Sequence, residues 1–288
     1  MKKQKKNFFL DYQEDLDKSK VVILPIPFER TTSYLKGTSR GPQAIINASC
    51  EVEFYDEELD IETYRIGIHT LKPLNCKGNP SKVLARITET VTELLMKKKF
   101  PVAIGGEHTI TPFIVKAFSK FFQDLSVLTI DAHADLRSEY QGTPLSHACA
   151  SYMTRRIAST VLVGIRAYSK DEAELIKKER IKAYPAHGIR KNKNWIQSIL
   201  KDLKSHVYLS VDMDGLDPCV IPAVGTPVPG GLDWWQTLDL IKTVAERKKI
   251  VGLDFVELCP STESVHSDFI TARLIYKTIG YIFSRVLK

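Results

Sequence analysis

Short runs rich in β-branched and aromatic residues alternate along the chain with longer stretches whose apolar positions recur at helical spacing. Eight runs predict strands: Val21 to Pro27, Arg65 to Thr70, Pro101 to Ile104, Ser126 to Asp131, Thr160 to Ile165, Ile181 to Tyr184, His206 to Val211 and Ile250 to Val256. Helical periods lie between them, over Lys82 to Lys98, Thr111 to Phe122, Lys170 to Arg180 and Trp234 to Lys248. Gly41-Pro42 opens a further helix, with proline where a first turn tolerates its missing amide proton. Apolar residues from Asp268 to Leu287 again keep helical spacing, broken by Arg273, Lys277 and Arg285, which suits a docked helix. Strand runs separated by helical segments are the signature of βα units, so an α/β fold with a largely parallel sheet is expected.

The chain of 288 residues, 43% hydrophobic, is short enough for the whole of 1–288 to be one domain. Its net charge of +7 is concentrated in Lys2 to Lys6, read as a solvated tail, and Lys97 to Lys99, read as the polar end of a helix. Without interleaved aromatics these short runs do not make a nucleic-acid surface. Five scattered cysteines, odd in number and never spaced as CxxC, fit a reducing compartment. No run approaches the ~20 apolar residues of a membrane span, and Phe8-Phe9-Leu10 is too short for a signal peptide. A cytoplasmic protein with no membrane or nucleic-acid partner is expected.

Two acidic runs end strand-like stretches: Asp131-Ala132-His133-Ala134-Asp135 and Asp212-Met213-Asp214. In extended backbone, alternate side chains share a face, so one run can aim two carboxylates and an imidazole together and the other two carboxylates. A strand end passing into an Asx-type turn would give the same letters, but would leave ionisable groups partly buried without partners after Leu128-Thr129-Ile130. Gathered carboxylates call for a cation, and the mixed oxygen and imidazole donors suit Mn, Zn or Fe better than Ca or Mg. The surplus of carboxylates invites two ions. His108, in Gly105-Gly106-Glu107-His108-Thr109, is a further candidate donor from a glycine-rich strand-to-helix corner, although a lone histidine there could also be a cap. His147 could be a loop histidine bonded to backbone, and Glu257, ending a buried strand, needs a cationic partner. Both acidic runs fall at carboxyl ends of strands, where open α/β sheets collect ligands.

The motifs Gly105 to Thr109, Asp131 to Asp135, Ser146-His147, Ser210 to Pro218, Gly225-Thr226-Pro227 with Gly230-Gly231, and Asp254 to Glu257 stand in the order found in the ureohydrolases, the arginase and agmatinase family, which the chain resembles. The likeness extends upstream to Pro27, Thr31-Thr32-Ser33-Tyr34 and Gly41 to Ile45. It implies a three-layer α/β/α fold with an eight-stranded, mostly parallel sheet, and two Mn2+ ions serving hydrolysis of a guanidino group to urea and an amine. By the resemblance, His108 and Asp135 complete one metal, His133 and Asp214 the other, and Asp131 and Asp212 bridge both. It further implies that Asp135 relays a proton to the leaving nitrogen, that His147 exchanges protons with solvent, and that Glu257 pairs with the guanidinium. Assembly as a homo-trimer or homo-hexamer is expected on the same ground, and Trp234-Trp235 could anchor an interface or the core.

The segment Leu136 to His147 lacks the asparagine-rich loop with which arginases read the amino-acid end of arginine, and is more similar to agmatinases. Agmatine, giving putrescine and urea, is therefore the expected small-molecule guanidino substrate. Glu139 and Tyr140 are candidate walls for its amine end, unless they form a solvated loop tip. Aminopropyl-agmatine and guanidinobutyrate would share the motifs, formiminoglutamate would need a cationic pocket for which Arg137 and Arg166 are candidates, and a non-catalytic metal-binding relative is the alternative from another class. Cys149 and Cys219 could be metal-adjacent thiols, or small hydrophobes.

Overall fold

The computed structural model describes residues 7–288, so the basic run Lys2 to Lys6 lies outside the described residues. In chain order the strands are β1 Val21–Ile26, β2 Tyr55–Asp56, β3 Ile61–Glu62, β4 Ile68–Thr70, β5 Phe100–Gly105, β6 Leu125–Ile130, β7 Ser159–Val163, β8 Lys182–Tyr184, β9 His206–Asp212 and β10 Lys249–Val256. The helices are α1 Gly41–Ser49, α2 Pro80–Met96, α3 Thr111–Phe118, α4 Ala150–Thr154, α5 Lys170–Glu179, α6 Ala186–Ile189, α7 Trp195–Asp202, α8 Trp234–Arg247 and α9 His266–Leu287.

Eight strands form one parallel sheet in the order β4-β1-β5-β10-β9-β6-β7-β8. Its strands are apolar and buried on both faces because helices cover both, giving the three-layer α/β/α architecture. Alternate residues sort between the layers. Val207, Leu209 and Val211 of β9 pack into the core under α8 and α9, whereas Tyr208 faces the core under α2 and α3. Capping explains where several helices begin: Asn79 accepts from Lys82 N–H ahead of Pro80, and capping boxes pair Ser169 with Glu172 and Asp233 with Gln236.

All eight expected sheet strands are present, with three notable departures elsewhere. Arg65 and Ile66 belong to a 3-10 turn, because Gly67, at φ 80°, bends the chain before β4 begins at Ile68. Helix α3 stops at Phe118 instead of continuing to Phe122, as Lys120 N–H turns back to the Ala117 carbonyl. The β2–β3 hairpin has two residues per strand, too few for any period to show in the sequence. Trp234 packs against the core while Trp235 is 65% exposed. Among the described residues no helix is long and apolar enough to cross a membrane.

The topology places the site. Strands β5, β10, β9 and β6 are consecutive neighbours at the centre of the sheet, and their carboxyl ends lead directly into His108, Glu257, Asp212 and Asp131. Outer strands come from earlier and later parts of the chain, and β9 and β10 return between them, so the crevice forms where the strand order reverses.

One buried polar cluster fastens the hairpin to the helical layer. Lys277 of α9, 3% exposed, donates to both carboxylate oxygens of Asp56 at 3.1 and 3.0 Å and lies 3.1 Å from Glu58 Oε2. Glu58 also accepts from Lys242 Nζ at 2.8 Å and the Tyr281 hydroxyl at 2.6 Å. Burial works against the Glu58 carboxylate, but its bonds with Lys242, Tyr281 and Lys277 outweigh that and bring its pKa from 4.5 to about 2. A carboxyl depressed on folding adds stability above its unfolded pKa and loses it as pH falls toward the folded value. Glu58→Gln should therefore lower the urea midpoint at neutral pH, with the gap from the parent protein narrowing below pH 4.5. A gap that stays constant down to about pH 3 would show that ionisation of Glu58 does not carry its contribution.

Candidate metal centre and substrate cleft

The donors are arranged by turns, not by strand alternation. Strand β6 ends at Ile130, so Asp131 to Asp135 leave the sheet, and the expected sharing of one strand face does not hold there. Asp131 Oδ1 instead accepts from His133 N–H at 2.6 Å, and Asp135 sits at φ 50°. Asp212 ends β9, and its Oδ1 accepts from Asp214 N–H at 2.9 Å in an equivalent turn. The Asx turn and the ligand cluster are thus one device: an oxygen of each leading aspartate folds the loop that brings the following donors round. Asp214 Oδ1 in turn accepts from Ala132 N–H at 3.0 Å, tying the two loops together.

Glycine permits that approach. A Cβ on Gly215 would lie 2.7 Å from Asp131 N and 2.9 Å from the Ile130 carbonyl carbon, too close for any other residue. Gly106 plays the same part for His108, since its Cβ would meet Phe28 O at 2.0 Å. Close packing, not a left-handed turn, requires glycine at this corner.

Six donors converge. His108 Nδ1 lies 3.1 Å from Asp131 Oδ2, 3.2 Å from Asp212 Oδ2 and 3.4 Å from Asp135 Oδ2. His133 Nδ1 is 3.0 Å from Asp214 Oδ2 and 3.7 Å from Asp131 Oδ1. Two groups have ligand atoms close enough to hold an ion: His108, Asp131 and Asp212, and Asp131, His133 and Asp214. Asp131 is common to both. Asp212 joins only the first of these groups, and Asp135 approaches it from the His108 side.

The fit of cations to this set rests on the chain's own atoms. His108 Nδ1 and Asp131 Oδ2 are buried without a hydrogen-bond partner, which is costly unless something else binds them. Burial, then the charges of Asp135 and Asp214, pushes Asp131 up to about 7, and burial with Asp214 and Asp131 drives Asp212 well above the usual carboxylate range. Burial opposes a charged His133, yet Asp214, Asp131 and Asp135 raise it to about 10. The cluster draws positive charge onto itself, and divalent ions satisfy that demand with the donor types present.

The ring of His108 is held from behind. Ser210 donates its one hydroxyl proton to Asp254 Oδ1 at 2.6 Å, so its oxygen accepts from His108 Nε2 at 3.1 Å. That leaves Nδ1 as the lone-pair nitrogen facing the carboxylates, the tautomer a ligand needs. Asp254, fully buried, is kept in place by Tyr208 and Thr111, which donate to its Oδ2 at 2.7 and 2.9 Å. The sequence placed Asp254 inside a motif but gave it no part to play; its role depends on β9 and β10 meeting side by side.

Glu257, at φ 64° past the end of β10, accepts from His108 N–H at 2.7 Å. Burial, then the charge of Glu107, pushes its pKa well up, so this carboxylate favours a cationic neighbour. It lines a narrow cleft of about 30 Å³ with His133, Asp135, His147, Asp212 and Asp214. The cleft shares Ser33, His133, Asp135, His147 and Thr226 with a wider cavity of about 350 Å³, walled further by Arg137, Tyr140, Tyr168 and Glu172. His147 stands at the junction, with the Tyr140 ring edge-on at 6.0 Å.

Among the expected tail contacts, Tyr140 lines the cavity, whereas Glu139 is exposed and lines neither space. Tyr168 and Glu172 were missed; they reach the cavity because β6 and β7 are neighbours, and nothing in their local sequence marks them. Of the two arginines expected to read a carboxylate tail, Arg166 is committed to backbone carbonyls and Arg137 is exposed in the cavity wall. Arg166 donates to the carbonyls of Asp214, Leu216 and Val228 at 2.6 to 3.2 Å, and Arg137 stacks 5.2 Å from the Tyr140 ring beside Glu172. Cys149 is buried, with burial and then Asp135 pushing its thiol up to about 11, while Cys219 is exposed in the loop after the second acidic run.

Fold and site together define a three-layer α/β protein built around a carboxylate-rich, cation-seeking crevice. The arginase-family model matches residues 19–281, and the chain belongs to the arginase family. It is 39% identical over 274 residues to the N(1)-aminopropylagmatine ureohydrolase of Synechocystis sp., covering 91% of this chain and 88% of that one. It is 34% identical to the agmatinase of Bacillus cereus, with 90% of each covered. The agmatine ureohydrolase structure of Thermoplasma volcanium superposes with a TM-score of 0.89 at 28% identity, covering 97% of this chain and 95% of that one. The protein is a ureohydrolase of the agmatinase type.

Gly215 offers a test of the site that touches no donor side chain. Gly215→Ala should force the two acidic loops apart and weaken divalent-ion binding by about tenfold or more, read by calorimetric titration with Mn2+. Wild-type affinity in a folded variant would show that the close approach of the loops is not what assembles the centre.

Proposed function

We propose that the protein hydrolyses the guanidino group of N(1)-aminopropylagmatine, releasing urea and the corresponding polyamine, with two Mn2+ ions held by His108, Asp131, His133, Asp135, Asp212 and Asp214. The observation that carries this choice is the wide cavity of about 350 Å³ beside the cleft, which gives a tail room and sets the Tyr140 and Tyr168 side chains in its wall. An ammonium is favoured by carboxylate and aromatic faces. The 39% identical relative named for the aminopropyl compound supports the longer tail. Agmatine itself is the second reading, supported by the relative named agmatinase.

Divalent ions at this position supply Lewis acidity and lower the pKa of a water. The remaining work falls to the chain. Glu257 pairs with the guanidinium, which answers the cationic demand of its buried carboxylate and presents the guanidinium carbon to the cluster. Asp135, 7% exposed and held at the rim by its left-handed backbone, carries a proton to the leaving nitrogen, whose lone pair becomes basic once the planar guanidinium is broken. His147, at the junction of cleft and cavity, exchanges protons with solvent.

Metal-free protein reconstituted with Mn2+ should release urea from N(1)-aminopropylagmatine, more slowly from agmatine, and negligibly from arginine or guanidinobutyrate. Silence on all the guanidino compounds, with two ions bound, would overturn the reading. A preference for agmatine would move only the tail assignment. Within the tail site, Tyr168→Leu should raise KM for the aminopropyl substrate by roughly two- to thirty-fold with less effect on agmatine; equal effects on both would remove Tyr168 from tail recognition.

A further inference from the structure

Behind His147 lies a fully buried carboxylate with no basic side chain bonded to it. Glu107 Oε2 accepts from the backbone N–H groups of Arg30 and Thr31, each at 2.7 Å, and Oε1 accepts from the hydroxyls of Thr31 at 3.0 Å and Thr109 at 2.8 Å. Amide donors cannot accept, so Oε2 must receive twice, and the two hydroxyls complete the four acceptor sites of an ionised carboxylate. The Thr31 hydroxyl has one proton, and it points to Glu107. Its oxygen is then left to accept from the two His147 nitrogens beside it, the backbone N–H at 3.1 Å and ring Nδ1 at 3.1 Å. Were Nδ1 unprotonated, two lone pairs would face each other in a half-buried contact.

We propose that Glu107 and Thr31 form a positioning pair that fixes the neutral His147 ring as its Nδ1–H tautomer, leaving Nε2 as the basic atom available for proton exchange. The inference deepens the assignment of His147 as proton carrier and rests on it. The same device orients His108 through Ser210 and Asp254, but through the opposite nitrogen. One hydroxyl and one buried carboxylate behind each ring thus give two histidines of the site opposite tautomers. Neutral histidine in water favours Nε2–H, so the protein must impose the other form on His147. Neither Thr31 nor Glu107 touches the reacting atoms; both act through the ring.

The test needs no substrate. Protein labelled with 15N-histidine and loaded with diamagnetic Zn2+ is examined by long-range proton–nitrogen spectra at alkaline pH, with the His147 signals assigned by their loss in His147→Ala. The wild type should show Nδ1–H at His147. Thr31→Val should shift the ring toward Nε2–H and, in the Mn2+ enzyme, lower kcat by about tenfold or more with KM and metal content retained. Thr31→Ser, which keeps the hydroxyl, should restore both tautomer and rate. An Nε2–H ring in the wild type, or an unchanged Nδ1–H ring in Thr31→Val, would overturn the proposal. Should Thr31→Val fail to fold, the wild-type and Thr31→Ser spectra decide alone, an Nε2–H ring in either overturning it. A protein with the Nδ1–H ring that releases no urea from any guanidino compound would sink the ureohydrolase assignment while upholding the positioning pair.

Discussion

Four aspartates brought together out of water repel one another, and most of what is unusual in this structure holds them there. Asp131, Asp135, Asp212 and Asp214 are each 7% exposed or less. Burial and the neighbouring carboxylates disfavour the charge of Asp131 and Asp212, so the cluster survives by drawing in positive charge and by bonding its outer oxygens to backbone. The backbone amides of Ala132, His133 and Asp214 supply those bonds from the same loops that carry the aspartates. Each acidic loop is therefore shaped by the group it presents. Such a loop cannot be moved far without releasing a charge.

The sheet answers the same constraint on a larger scale. Parallel strands place all their carboxyl ends on one side, and the order β5-β10-β9-β6 puts four chain segments distant in sequence within reach of one crevice. Buried polar side chains then brace the donors from below: Asp254 spans from β10 to Tyr208 and Ser210 on β9 and to Thr111 at the start of α3. These contacts are fully satisfied, which is what makes a buried polar network a rigid support instead of a liability. Rigidity matters because a donor displaced by an ångström loses its ion or its proton path.

The eight sheet strands and most helix starts were legible in the sequence from local traces such as a branched run or a proline at a first turn, and the six donor positions from the acidic runs together with the family resemblance. What the letters did not show depends on neighbours across the sheet. Glu107 sits beside His108 in a motif, yet its partners Arg30 and Thr31 arrive from the loop after β1. Tyr168 and Glu172 lie far along the chain from Tyr140 and meet it only because β7 pairs with β6. The strand-face argument for Asp131 to Asp135 reached the right residues through the wrong geometry, because the backbone leaves the sheet at Ile130 and turns through Asp135 at φ 50°.

The arginine nearest the crevice serves the loops that build it. Arg166 could have offered a guanidinium to a carboxylate tail, but its donors are taken by carbonyls of the loop after the second acidic run and by the Gly164 carbonyl, where they stitch that loop to the end of β7. Burial lowers its pKa against the pull of Asp214 and Asp131, so its charge is partly offset by the cluster it supports. Moving Arg166 to read a substrate would strip those carbonyls of their partner and loosen Asp214. The same residue cannot both brace the centre and bind an acidic tail.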